Sequence, residues 1–161
     1  MAHAHARNAP TTALTDLVRS IDARGNRSFA ASILLLENGR LYHEAAPGLP
    51  AAYCQAIDGM KIGPRTGSCG TAAFCGHPIY VPDIAEDVLW APWPELADMA
   101  VEAGFRACWS VPIVDAGRRV LGTFAIYHRE PRGPTAAERR LIAEAAQAAA
   151  ALLTAAAAVA A

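Results

Sequence analysis

Among the side chains able to do chemistry, Cys69 is set in the most suggestive surroundings. It follows Gly67-Ser68 and precedes Gly70-Thr71, a run whose glycines allow a sharp entry into a short helix with Ser68 as its N-cap. The N–H groups of Ser68, Cys69 and Gly70 then point out of a helix N-terminus. That geometry suits an anionic or polar ligand group, and the same field lowers the pKa of a thiol. The competing reading is a tight loop-to-helix junction. In it Gly67 and Gly70 serve close packing, and Cys69 is a small buried apolar residue. For Cys69 burial weighs more, because no second cysteine stands near it; Cys75 lies past the expected helix end.

Trp90 and Trp93 flank Pro92 in an irregular, Pro-rich stretch. Such a pair either forms an aromatic lid over a ligand or covers the core beneath a loop. Asp83, Glu86 and Asp87 in the same stretch read as turn caps and solvated charges. Along 107–114 side chains alternate, so Cys108, Ser110 and Pro112 share one strand face, while Trp109, Val111 and Ile113 share the other. On the following strand Thr123, Ala125 and Tyr127 share a face. Ser110, Thr123 and Tyr127 carry hydroxyls, each of which also reads as a satisfied buried polar group. The five histidines are scattered: His3 and His5 sit near the N-terminus, and His77 reads as a turn residue before Pro78. No two of the four cysteines form a C-x-x-C pair, which disfavours structural zinc.

The elements that must position these groups follow from periodicity. Leu14, Leu17, Val18 and Ile21 recur on one face of a helix that Pro10 starts and Gly25 stops. Strands are expected over 29–37 and 41–45, joined by Asn38-Gly39 as a type I′ turn. A short helix over 50–57, a short strand over 60–62, the Ser68 helix closed by Gly76 and a strand over 79–81 follow. Pro94 to Ala103 reads as a helix. A second hairpin spans 106–114 and 120–128, turning at Asp115-Ala116-Gly117. Thr135 and Glu138 form a capping box for the last helix, whose apolar face is Leu141, Ile142, Ala145, Ala149, Leu152 and Leu153. The order α-β-β-α-β-α-β-α-β-β-α, with hairpins at both ends, points to an α+β layout with an antiparallel sheet.

The chain is 161 residues long, 53% hydrophobic and 18% charged, with net charge -1. That suits one domain with a real core. Without a basic cluster, binding of nucleic acid is disfavoured. The first ten residues carry no apolar signal-peptide core, so a cytoplasmic, reducing setting with free thiols is expected. The Ala-rich run from 145 to 161 is short for a bilayer, about 25 Å as a helix, and reads as soluble. The expected division is a disordered 1–10, a domain over 11–153 and an Ala-rich helical tail over 154–161.

The run Ile62-Gly63-Pro64-Arg65-Thr66-Gly67-Ser68-Cys69-Gly70-Thr71-Ala72-Ala73, with Ile79-Tyr80-Val81-Pro82-Asp83-Ile84 behind it, resembles the central motif of GAF domains. Gly104 to Ile113 and Val120 to Tyr127 resemble the last two GAF strands. The likeness is greatest to the subgroup found in bacterial sensor histidine kinases and cyclic-di-GMP signalling enzymes. It implies a central antiparallel sheet of five to six strands, terminal helices on one face and a ligand pocket on the other. It also implies that Cys108, Ser110, Thr123, Ala125 and Tyr127 face that pocket. The expected ligand-binding set is Gly67, Ser68, Cys69, Thr71, Trp90, Trp93, Cys108, Ser110, Thr123 and Tyr127, with no catalytic or metal-ligating residue.

The function expected is a non-catalytic sensor that binds a small molecule, pairs as a homodimer through its terminal helices and acts on a signalling partner. A structural dimerisation module is the plainer alternative. The loop at Gly67 is also similar to that of free methionine-(R)-sulfoxide reductases. The positions where that family carries acidic substrate-binding residues fall at Cys108, Ala125 and Tyr127, and residues 87–104 hold no cysteine, which disfavours that activity. Haem and bilin are disfavoured because 87–106 holds no histidine and no Cys-His pair. A cyclic nucleotide stays open as a ligand.

Overall fold

The computed structural model describes residues 10–161. The expected disordered N-terminus, with His3 and His5, lies outside them. Helix α1 (Pro10–Gly25) leads into strands β1 (Phe29–Glu37) and β2 (Arg40–Ala45). Helix α2 (Ala51–Ile57), strand β3 (Met60–Lys61), helix α3 (Gly67–Cys75) and strand β4 (Ile79–Val81) follow. The chain ends with α4 (Pro94–Glu102), β5 (Ala107–Val114), β6 (Val120–His128) and α5 (Ala136–Ala160). The six strands form one antiparallel sheet in the order β3-β2-β1-β6-β5-β4. The fold is α+β, as the sequence pattern implies.

The sheet separates two cores. On one face α1 and α5 pack Leu14, Val18, Ile21 and Ile142 against Trp109, Phe124 and Ile126. On the other, α2, α3, α4 and the segment through Trp90 cover Leu34, Cys108, Ala125 and Tyr127. Register fixes this partition. Cys108 pairs with Tyr127 and Ser110 with Ala125, while the intervening Trp109 pairs with Ile126, so alternate residues serve opposite cores. The β1–β2 turn has Asn38 at φ 50 and Gly39 at φ 74, the two left-handed residues a type I′ turn requires. The capping box of α5 forms as expected, Glu138 N–H donating to Thr135 Oγ1 and Thr135 N–H to Glu138 Oε2.

Three local expectations are corrected. The N-cap of α3 is Thr66, not Ser68, and it makes no side-chain cap bond. Gly67 takes φ +58, which turns the chain into the helix earlier and carries Ser68 into its buried first turn. The β5–β6 turn runs over five residues, 115–119, not three: Asp115 N–H donates to Arg119 O (3.0 Å), and Arg118 is left-handed at φ 64. Finally, α5 runs unbroken from the capping box through the Ala-rich tail, as expected, but its 25 residues, and not the run from 145 alone, set its length against a bilayer. It is long and apolar enough to cross a membrane by length and composition. Its buried residues Ile142, Ala145, Ala146 and Ala149 nonetheless pack into the core shared with α1 and the sheet.

Candidate functional site

The site is built where α3 enters the sheet's inner face. A partly open cavity there is walled by Leu34, Leu41, Ile57, Met60 and Leu96, by 66–70, by Trp90 and Trp93, and by Tyr127. The centre of a water-sized sphere can reach about 30 Å³ of it, room for one or two waters. Trp90 is buried, while Trp93 is 36% exposed at the rim.

The 83–93 segment is tied down across this opening. Trp93 Nε1 donates to Arg65 O (3.1 Å), Arg65 Nη2 to Val88 O (3.3 Å) and Gly67 N–H to Leu89 O (2.9 Å). At its start Arg106 pairs with Asp83 (2.6 Å), and this contact holds the Asp83 carboxyl below its usual pKa. Asp83 and Asp87 also accept N–H bonds from Ala85 and Leu89, the turn-capping role expected of them. Trp90 thus fills core, the plainer of the two readings, and Trp93 stands at the cavity rim.

Glycine is required at the junction. The Gly67 Cα faces the Trp90 ring, 3.4 Å from where a Cβ would stand, and a Cβ at Gly70 would lie 2.7 Å from Thr66 Cβ. Close packing therefore explains Gly70, whereas Gly67 is explained by its left-handed backbone, since 3.4 Å is an ordinary contact. The first N–H groups of α3 still lack intrahelical partners by their position. Two buried polar atoms at the wall are also unmatched, Trp90 Nε1 and Ser68 Oγ.

Of the ten residues singled out in sequence, Gly67, Ser68, Cys69, Trp90, Trp93 and Tyr127 line the cavity. Thr71, Cys108, Ser110 and Thr123 do not. Thr71 Oγ1 accepts from Thr66 N–H (3.2 Å) and so braces the entry to α3. The other three are fully buried in the layer between α3 and the sheet. Ser110 Oγ lies 3.1 Å from Cys69 Sγ and 3.9 Å from Cys108 Sγ. The neighbouring Cys108 thiol lowers Cys69 to about 6; burial opposes this, and the Ser110 and Thr123 hydroxyls assist. Burial, reinforced by Cys69, pushes Cys108 the other way, well above its ordinary value.

Tyr127 Oη hydrogen-bonds Tyr53 Oη at 2.8 Å, the rings edge to face, and burial raises both phenols. Tyr53 escaped the sequence reading, as did the aliphatic wall from Leu34, Leu41, Ile57, Met60 and Leu96. Leu34 lies within an unbroken apolar run, where no polar neighbour marks the inward face. Among the described residues no group of three or more His, Cys, Asp or Glu could hold a metal ion.

The comparisons agree with this architecture. A family model described as GAF domain matches residues 10–154. The chain is 37% identical over 113 residues to a methyl sulfide methyltransferase-associated sensor from Methanosarcina acetivorans, covering 69% of this chain but 11% of that protein. The chain thus spans about a tenth of that relative's length. A domain of a protein described as a two-component sensor histidine kinase from Sinorhizobium meliloti superposes with a TM-score of 0.70 at 25% identity, covering 91% of this chain and 92% of that one. The GAF domain of a phosphoenolpyruvate-protein phosphotransferase from Coxiella burnetii gives 0.76 at 21% identity, covering 95% and 87%. A type II free methionine-R-sulfoxide reductase from Thermoplasma acidophilum gives 0.68 at 15%, covering 89% and 91%, a likeness of fold alone. With a sheet, two-sided packing and motif placement of this kind, and a family match over nearly all of its length, the chain belongs to the GAF domain family.

Proposed function

We propose that this chain is a non-catalytic sensory domain that binds a small, mainly apolar molecule carrying at least one hydrogen-bond acceptor. The observation that carries the reading is the cavity at the start of α3, apolar on most sides, with two unmatched buried groups at its wall, Trp90 Nε1 and Ser68 Oγ. An acceptor placed between them would satisfy a donor whose burial otherwise costs about 1–3 kcal/mol. The cavity wall holds no carboxylate and no imidazole, which supports a binding role over a catalytic one. The sensor-named relative and the sensor kinase neighbour support a signalling role. Because room is limited to one or two waters, a larger ligand enters only when the Trp90–Trp93 segment lifts.

In this reading the domain works in the cytosol. Two copies pair through the outer faces of α1 and α5, and the pair acts on a downstream signalling protein. Ligand occupancy is tested by native mass spectrometry of freshly purified protein. The expected result is a retained small molecule that is lost in Trp90→Phe, which keeps an aromatic ring at the wall but removes the donor. Full-length Ala truncations are poorer probes, since Trp90 and Tyr127 are 4% and 2% exposed and their removal would cost about 3–5 kcal/mol of stability. An empty cavity in the wild type would overturn the ligand reading and leave a structural dimerisation module; equal retention in Trp90→Phe would overturn the role given to the Trp90 donor.

A further inference from the structure

The buried sulfur cluster is not used by the ligand reading. Cys69 and Cys108 come from α3 and β5, and their thiols meet around a single hydroxyl, Ser110 Oγ, at 3.1 and 3.9 Å. Two further buried hydroxyls, Ser68 Oγ and Thr123 Oγ1, have no hydrogen-bond partner. Access is unequal. Cys69 lines the cavity, whereas Cys108 has no exposed surface and does not. The other two cysteines lie outside the cluster, Cys54 half-buried and Cys75 exposed.

We propose that Cys69 and Cys108 form a peroxide-oxidisable dithiol, with Cys69 attacking the oxidant through the cavity and Cys108 closing an intramolecular disulfide. Size selects the oxidant class. Room for one or two waters admits hydrogen peroxide and excludes bulky disulfides.

The steps balance. The Cys69 thiolate attacks one peroxide oxygen, the O–O bond breaks, and hydroxide leaves as the sulfur becomes a sulfenic acid. The Cys108 thiol then attacks the Cys69 sulfur. The S–O bond breaks and its oxygen departs as water with the thiol proton. Two electrons leave the sulfur pair for the peroxide. The electrostatics favour this division of labour, since Cys69 is the thiol held down, to about 6, and Cys108 the one pushed up. Ser110 sits where it can donate to the developing thiolate and then yield as the sulfurs approach. The input does not depend on the proposed small-molecule ligand, and its readout differs.

The test uses the whole chain carrying Cys54→Ser and Cys75→Ser. Hydrogen peroxide is added at increasing ratio, free thiols are blocked, and the intact mass and linked peptides are read. The expected product has lost two hydrogens and links the peptides bearing residues 69 and 108. Adding Cys108→Ser should halt the sequence at a sulfenic acid on Cys69, trapped by dimedone; adding Cys69→Ser should leave Cys108 reduced. Two free thiols after peroxide treatment would overturn the proposal, as would oxidation of Cys69 to higher acids without a link, or Cys108 reacting first. The linked peptide in the parent chain decides the matter even if a single-cysteine variant fails to fold.

Discussion

At the scale of single residues, His43 sets a pH dependence that lies outside the cavity. Its side chain is 7% exposed, its Nδ1 sits 2.8 Å from Asp58 Oδ1, and its N–H donates to the same oxygen. Burial opposes its charge, but the Asp58 carboxylate and the Cys54 thiol outweigh burial and raise its pKa to about 9. A folded-state value above the ordinary 6.5 means that the charged form favours the native state. The stabilisation is fully present below pH 6.5 and is lost as pH climbs towards about 9. Urea unfolding across that window should show stability falling, by at most roughly 3 kcal/mol, since the half-open Asp58 side is screened by solvent. In His43→Phe the slope over this window should flatten; an unchanged slope would assign the pH dependence to another group. Nothing local in the sequence announces this pair, because strand β2 and the residue after α2 meet only once the chain has turned back.

Elements were more legible than contacts. The order of helices and strands follows from periodicity and from Asn38-Gly39, Gly76, Gly104 and Thr135, whose roles are local. The two faces of β5 and β6 also follow, since side-chain period two is a property of any strand. What periodicity does not carry is which elements stack. The helix beginning at Gly67 covers Cys108, Ser110 and Thr123 instead of leaving them in the cavity, and a thiol read as isolated finds its neighbour on a distant strand. The packing of α3 makes its own prediction. Gly70→Ala would put a Cβ 2.7 Å from Thr66 Cβ, whereas a Cβ at Gly133 meets nothing within 4 Å. Thermal unfolding should show Gly70→Ala destabilised by about 1–3 kcal/mol, the range for overpacking, and Gly133→Ala unchanged within about 0.5 kcal/mol. Equal midpoints for the two variants would mean that the entry to α3 yields without strain.

On the scale of the whole molecule, the outer face of α5 tests the proposed pairing. Ala148, Ala151 and Ala155 are exposed while Ala145 and Ala149 are buried against the sheet, so small residues outside leave room for a second helix to approach closely. Ala151→Glu touches nothing in the isolated chain and should leave its stability within about 0.5 kcal/mol. By light scattering after gel filtration, the wild type should run as a dimer and Ala151→Glu as a monomer; a dimer in both places the interface elsewhere. The family and the terminal-helix layer were readable from motifs spread along the chain. The tethering of the 83–93 segment across the cavity was not, because it depends on three hydrogen bonds to the 63–67 loop that no motif encodes.

Strands β5 and β6 form a partition one residue thick. Trp109 lies in the core beneath the terminal helices, while its chain neighbours Cys108 and Ser110 lie on the α3 side. The α3 side and the terminal-helix side of the molecule therefore share one strand backbone, with adjacent residues serving opposite cores. Trp109 Nε1 donates to Arg132 O (3.0 Å), and Arg132 in turn pairs with Glu138 in the first turn of α5. One hydrogen bond and one ion pair thus fasten the strand that carries Cys108 and Ser110 to the first turn of α5, so the inner layer and the outermost helix are joined through a single tryptophan.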